Sequence, residues 1–94
     1  MDIDRAVATM AGFLETHIKN QNYFSEKDDH GNKLSFKSAE KGSDGKTIKL
    51  TFVVGEVWSV HDPAIRRASR SCIEAACEKQ PQLNEYEFVR DFVQ

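Results

Sequence analysis

The stretch Thr47-Ile48-Lys49-Leu50-Thr51-Phe52-Val53-Val54 alternates apolar residues with mostly polar ones over eight positions. Successive side chains of a β-strand point to opposite faces, so this alternation predicts a strand with one buried face. The side chains expected on that face are Ile48, Leu50, Phe52 and Val54. A sheet with one apolar face needs a second layer to cover it, which favours a two-layer domain.

The segment that begins at Leu34 is the expected partner of this strand. Its apolar face starts with Leu34 and Phe36 and would continue through Ser38 and Glu40. Two antiparallel strands that are close in sequence form a hairpin, and the loop between them fixes the register.

The loop length follows from matching the two apolar faces. A two-residue turn at Asp44-Gly45 would place Phe36 opposite Val53, which belongs to the other face. A three-residue loop, Ser43-Asp44-Gly45, pairs Phe36 with Phe52 and puts Gly45 where a positive φ is needed. We therefore expect the three-residue loop.

Two helices are predicted on either side of the hairpin, at residues 2–19 and 63–79. Asp62 is the expected N-cap of the second helix, with Pro63 at its first position. Gly12 weakens the first helix, and a close contact with the sheet would explain a residue without a side chain there. The apolar stripe of the first helix is Ile3, Val7, Met10, Leu14 and Ile18, and that of the second is Ile65, Ala68, Cys72 and Ala76.

The C-terminal segment is open to two interpretations. Asn84-Glu85-Tyr86-Glu87 resembles a capping box, and the apolar side chains that follow gather on one side of a helical wheel. A strand would instead put the charged Arg90 between Phe88 and Phe92 on one apolar face. Because a helix avoids this placement, a helix over residues 85–93 is preferred. Residues 23–27 are an open candidate for a third strand.

These elements predict one α+β domain over residues 1–94. Its two layers would be an antiparallel sheet of two or three strands and two helices, in the order α-β-β-(β)-α, with a short C-terminal helix added. The expected core includes Val7, Met10, Leu14, Phe36, Leu50, Phe52, Ile65 and Cys72.

Composition restricts the class of protein. Charged residues make up 30% of the chain, the net charge is −2, and the sequence pI is near 5.9, which disfavours a general nucleic-acid binder. No apolar run approaches the ~20 residues that cross a bilayer, and the acidic start Met1-Asp2-Ile3-Asp4 is unlike a signal peptide. We expect a cytoplasmic protein without membrane contact, in which Cys72 and Cys77 are reduced thiols.

No arrangement of residues in the chain predicts an enzyme. His17, His30 and His61 are scattered, and no spacing typical of a metal site occurs. The five glycines lie singly, so there is no phosphate-binding loop, and no nucleophile motif presents a serine or cysteine. We expect neither catalytic residues nor a cofactor nor a metal.

The candidate binding residues are Trp58, Arg66, Arg67 and Arg70. Three arginines within the first two turns of a helix add positive charge to an end that is already partly positive. An anionic partner would favour them there, whereas a solvated face balanced by Glu74 is the alternative. An aromatic residue beside arginines is typical of a protein interface.

The order helix, antiparallel strands and a helix with a basic start resembles that of double-stranded-RNA-binding domains. Arg66-Arg67-Ala68-Ser69-Arg70 lies where that family has its lysine-rich helix start, and His30 lies in the loop between the first strands. Asp28 and Asp29 stand where phosphate would approach in the family. The resemblance implies contact with the RNA backbone through Arg66, Arg67 and Arg70.

We therefore expect a small non-enzymatic protein-binding module, such as an adaptor, inhibitor or regulatory subunit. Its partner would present an acidic surface. Whether the chain also forms a homodimer is left open. The alternative is a module that binds the nucleic-acid backbone, which the net charge disfavours.

Overall fold

The computed structural model describes residues 1–20, 34–56 and 58–94. In chain order these residues form α1 (Ile3–Lys19), β1 (Leu34–Lys41), β2 (Thr47–Val54), α2 (Pro63–Lys79), a short 3₁₀ helix (Pro81–Glu85) and β3 (Glu87–Val93). The predicted α+β class, with a hairpin and two helices, is confirmed. The candidate third strand at residues 23–27 and the predicted loop around His30 lie outside the described residues.

The C-terminal helix was a wrong prediction, because this segment is strand β3. It runs parallel to β2 and places β2 in the middle of a mixed three-stranded sheet of order β1-β2-β3. A parallel pair needs a long crossover connection, and α2 provides it. β3 therefore follows α2, a position that the double-stranded-RNA-binding layout does not include.

An aspartate caps the start of each helix, as predicted for Asp62. The Asp2 carboxylate accepts a hydrogen bond from the Arg5 N–H (2.8 Å) at the start of α1. The Asp62 carboxylate accepts one from the Ala64 N–H (2.8 Å), with Pro63 at the first position of α2. Each cap satisfies a backbone donor that the helix itself leaves unpaired. α2 begins at Pro63 as predicted, and α1 begins at Ile3, one residue later than predicted.

The hairpin loop has four residues, not three. The Gly42 N–H donates to the Thr47 carbonyl oxygen (2.7 Å), which leaves residues 43–46 as the loop. A β-bulge between Phe36 and Ser38 then shifts the register by one residue and brings Phe36 opposite Phe52 as predicted. The positive φ of Gly45 is also confirmed, at 71°.

The bulge changes which residues of β1 continue the apolar face. Beyond it, Ala39 lies opposite Leu50 and Lys41 opposite Ile48. The prediction that Ser38 and Glu40 share the face of Phe36 was therefore wrong. The Lys41 ammonium lies 2.9 Å from the Asp4 carboxylate, so an ion pair joins this end of β1 to α1.

The core lies between the inner face of the sheet and the two helices. Six of the eight expected core residues are buried, whereas Val7 and Phe36 are only partly buried and pack against that core. The buried apolar residues are Ala6, Met10, Leu14, Ile18, Leu34, Ile48, Leu50, Phe52, Val54, Ile65, Cys72, Ala76 and Leu83. Gly12 is exposed, and a Cβ built there would meet no atom of the described strands within 4 Å, so the expected close contact with the sheet was wrong.

Candidate functional site

The three predicted arginines of α2 do not share one environment. Arg67 and Arg70 are exposed, but Arg66 is half-buried and turns toward β3. Its guanidinium carbon lies 4.6 Å from the centre of the Phe92 ring, and its Nε donates to the Val60 carbonyl oxygen (3.0 Å). Arg66 is thus fixed in place by a cation–π contact and a hydrogen bond.

Arg90 is the site residue that the sequence analysis missed. It lies on β3 between Phe88 and Phe92, half-buried against the start of α2. Its Nη1 donates to the Arg66 carbonyl oxygen (2.5 Å) and to the hydroxyl of Ser69 (2.9 Å), which is fully buried. These two acceptors on α2 allow an arginine on the apolar face. The alternation Phe88-x-Arg90-x-Phe92 was the sequence signal for this placement.

We call four neighbouring residues the arginine surface: Arg66, Arg67 and Arg70 at the start of α2, and Arg90 on β3, which contacts the Arg66 carbonyl oxygen. Burial lowers the pKa of Arg90, and the charges of Arg70 and Arg66 lower it further. Both the Arg66 and Arg90 guanidinium carbons lie within 6 Å of the Phe92 ring centre. The fold therefore brings like charges together and partly removes them from water.

No carboxylate forms an ion pair with these arginines within the described part of the chain. The two ion pairs found there, Lys19–Glu15 and Lys41–Asp4, both involve α1, and neither includes an arginine. Glu74, the acidic residue expected to balance the arginines, therefore makes no direct ion pair with them.

Trp58 is part of the core edge. It is half-buried and packs against the apolar cluster. Its carbonyl oxygen accepts a hydrogen bond from Gln94 Nε2, as does the carbonyl of Gly55, so the end of the chain is tied to the loop after β2. Of the four predicted binding residues, Arg67 and Arg70 are exposed, whereas Trp58 and Arg66 are half-buried.

The described residues contain little that is typical of a reaction site. The Asp62 carboxylate caps α2, while His61 is exposed and its backbone N–H donates to the Ser59 hydroxyl (3.1 Å). Burial raises the pKa of the Cys72 thiol to about 11, which keeps it protonated at neutral pH. No group of three potential metal ligands occurs in residues 1–20, 34–56 and 58–94.

Comparison of the chain with protein-family models, with curated proteins and with solved structures found no match. Within the part of the chain that the structure describes, no helix is both long and apolar enough to span a membrane. The arginine surface is therefore interpreted from its geometry alone.

Proposed function

We propose that this chain is a small protein-binding module that holds an acidic partner on the arginine surface. One observation supports the proposal above all. Four arginines lie together at the start of α2 and on the adjoining β3, and none of them forms an ion pair with a carboxylate among the described residues. Like charges held together in this way oppose folding, so a ligand that neutralises them has a favourable site.

The chemistry of guanidinium groups suits a carboxylate ligand. Arginine binds carboxylates through two parallel hydrogen bonds, and these charge-assisted bonds are stronger than neutral ones. Arg66 is already oriented by Val60 and Phe92, which reduces the entropy lost on binding. Arg67 and Arg70 are exposed and free to adapt to the partner.

Protein is favoured over nucleic acid by the charge of the whole chain. The net charge is −2, so a long polyanion would be repelled outside the arginine surface. A compact acidic patch on a protein needs contact only with the arginines themselves. The free thiols Cys72 and Cys77 are consistent with a reducing compartment, and we place the module in the cytoplasm.

The test is capture of partners from an extract of the native host, with and without nuclease. Arg67→Glu/Arg70→Glu removes the two exposed charges of the surface. Lys37→Glu/Lys46→Glu is the matched control, because it changes the net charge equally at exposed positions on β1 and the hairpin loop. We expect a nuclease-resistant partner that is lost from the first variant and kept by the second.

Two results would contradict the proposal. If both variants retain the partner equally, the arginine surface is not the binding site. If nuclease removes the captured material, the nucleic-acid alternative applies instead. Binding to duplex RNA should then weaken with salt, with a log–log slope of about 0.9 per phosphate contacted.

A further inference from the structure

One side of the β3 backbone has no hydrogen-bond partner among the residues that the structure describes. The Glu87 N–H donates to the Lys46 carbonyl oxygen (3.0 Å), so the backbone groups of residues 87, 89, 91 and 93 point toward β2. Those of Phe88, Arg90 and Phe92 consequently point to the open edge of the sheet. Among the described residues, no hydrogen bond outside the sheet reaches these backbone groups.

The two edges of the sheet differ in how well they are protected. β1 contains a bulge after Phe36 and exposes Lys37, and both features hinder the addition of another strand. β3 pairs with β2 over seven consecutive residues without a register shift. It is thus a regular edge that offers an unbroken template.

We propose that the edge of β3 binds an extended acidic segment of the partner protein as a fourth strand. This inference rests on the proposed function and names the form of its ligand. In an added strand, every second side chain would lie beside Phe88, Arg90 and Phe92 on the helix-covered side. The added backbone would pair with the open groups of β3.

The charges beside the edge determine which side chains the segment carries. A carboxylate opposite Arg90 would meet its guanidinium, and a carboxylate opposite Phe92 would lie near Arg66, which covers that ring. An apolar side chain suits the position opposite Phe88. The side chains of the segment that face the helices are therefore one apolar and two acidic residues at every second position. The apolar residue comes first or last, depending on the direction in which the segment runs.

A second copy of this chain is a poorer occupant of the same edge. In an antiparallel two-fold pair, the side chains brought to the helix-covered side are again Phe88, Arg90 and Phe92. None of them carries a carboxylate, since Glu87 and Asp91 belong to the opposite face. Such a pair would add cations to an already cationic site.

The experiment titrates the full chain with a labelled peptide, Thr-Val-Thr-Glu-Thr-Glu-Thr-Val-Thr, which can align in either direction. Binding is measured by fluorescence anisotropy, and hydrogen exchange of the Phe88, Arg90 and Phe92 amides is followed by NMR. We expect these amides to exchange fast in the free chain and to become protected when the peptide binds. The same peptide with lysine in place of glutamate should not bind.

Backbone methylation separates strand addition from simple charge attraction. One peptide is N-methylated at its Glu and Val positions, which blocks antiparallel pairing, and a second at its Thr positions, which blocks parallel pairing. We expect one of the two to lose about tenfold or more in affinity, although both keep their charge. Arg90→Leu should weaken binding of the parent peptide, and Lys37→Leu on the other edge should not.

These measurements separate strand addition at the β3 edge from binding at the arginine surface. If both methylated peptides bind like the parent, or if the three amides stay unprotected, the β3 edge is not the site and the arginine surface remains. If the chain dimerises in sedimentation and the peptide competes with the dimer, a second copy occupies the edge, which also overturns the inference. Loss of the proposed function itself would appear in the capture experiment above.

Discussion

Gly12 lies in the middle of α1. A Cβ added there would meet no atom of the described residues within 4 Å, apart from its own helix. No turn and no close approach by a described residue requires glycine at this position, so we expect helix propensity to decide the effect of a substitution. Glycine is among the least favourable residues in a helix because its backbone loses more conformational entropy on folding than that of other residues.

Gly12→Ala should therefore raise the free energy of unfolding by about 0.5–1 kcal/mol. Gly45→Ala is the matched control, since Gly45 has a φ of 71° and an L-residue there should cost roughly 1–2 kcal/mol. Urea denaturation measures both. A neutral or destabilising Gly12→Ala would mean that the glycine has a contact that the fold does not reveal.

Asp44 organises the hairpin loop through three hydrogen bonds. Its Oδ1 accepts from the N–H groups of Lys46 (2.9 Å) and Thr47 (2.8 Å), and its Oδ2 accepts from the Thr47 hydroxyl (2.6 Å). These bonds favour the ionised form and lower the pKa of Asp44 to about 2, with the Thr47 hydroxyl bond contributing most.

The lowered pKa makes the hairpin pH-dependent with a definite sign. The ordinary pKa of an aspartate is 3.8, so the stabilisation is fully present above about pH 5 and is lost as pH falls toward 2. Thermal unfolding of the wild type and Asp44→Ala should differ by a constant amount near neutral pH and converge over that range. Ser43→Ala in the same loop should show a difference that does not change with pH.

At the scale of elements, one charged residue of β3 explains why a helix was predicted for this segment. Arg90 lies opposite Leu50, which is fully buried, and its charge is tolerated because α2 supplies two acceptors. Its burial and its arginine neighbours both oppose the charge. The position is thus unfavourable for stability, and the proposed binding of an acidic partner would account for it.

Arg90→Leu should consequently leave the chain as stable as the wild type or raise the free energy of unfolding by up to about 1 kcal/mol. Leu50→Ala, at the facing position, should cost about 2–5 kcal/mol because it leaves a cavity. Urea denaturation at low salt compares them. A loss of more than about 2 kcal/mol for Arg90→Leu would show that its hydrogen bonds to α2 stabilise the fold.

At the scale of the whole molecule, the two layers share one core, and the loop after β2 closes it. Trp58 packs against this core, and Gln94 at the end of the chain binds the Trp58 carbonyl. Helices, sheet and loop therefore depend on one another. A small domain with a single core unfolds in one cooperative step.

The single tryptophan makes this cooperativity measurable. Trp58 fluorescence and far-ultraviolet circular dichroism should give the same unfolding midpoint. Trp58→Ala should lower the free energy of unfolding by about 2 kcal/mol, less than for a fully buried aromatic residue. Separate midpoints for the two signals would show that the loop after β2 unfolds independently of the core.

The local parts of this protein could be predicted from the order of its residues. The spacing of apolar residues placed α1, β2 and α2, and Asp62-Pro63 marked the start of α2 because capping depends on neighbouring residues only. The pairing of Phe36 with Phe52 also followed from matching apolar faces. The loop of residues 43–46 and the bulge that compensates for it did not follow, since two offsetting irregularities give the same register.

The form of β3 and the composition of the arginine surface depend on long-range contacts. The pattern of residues 87–93 favours a helix but also allows a strand, and a partner far along the chain selects the strand. β2 offered a parallel edge, and the Arg66 carbonyl and the Ser69 hydroxyl on α2 offered acceptors for Arg90. Both are long-range contacts, so the residue that completes the candidate site was visible only once the chain had folded.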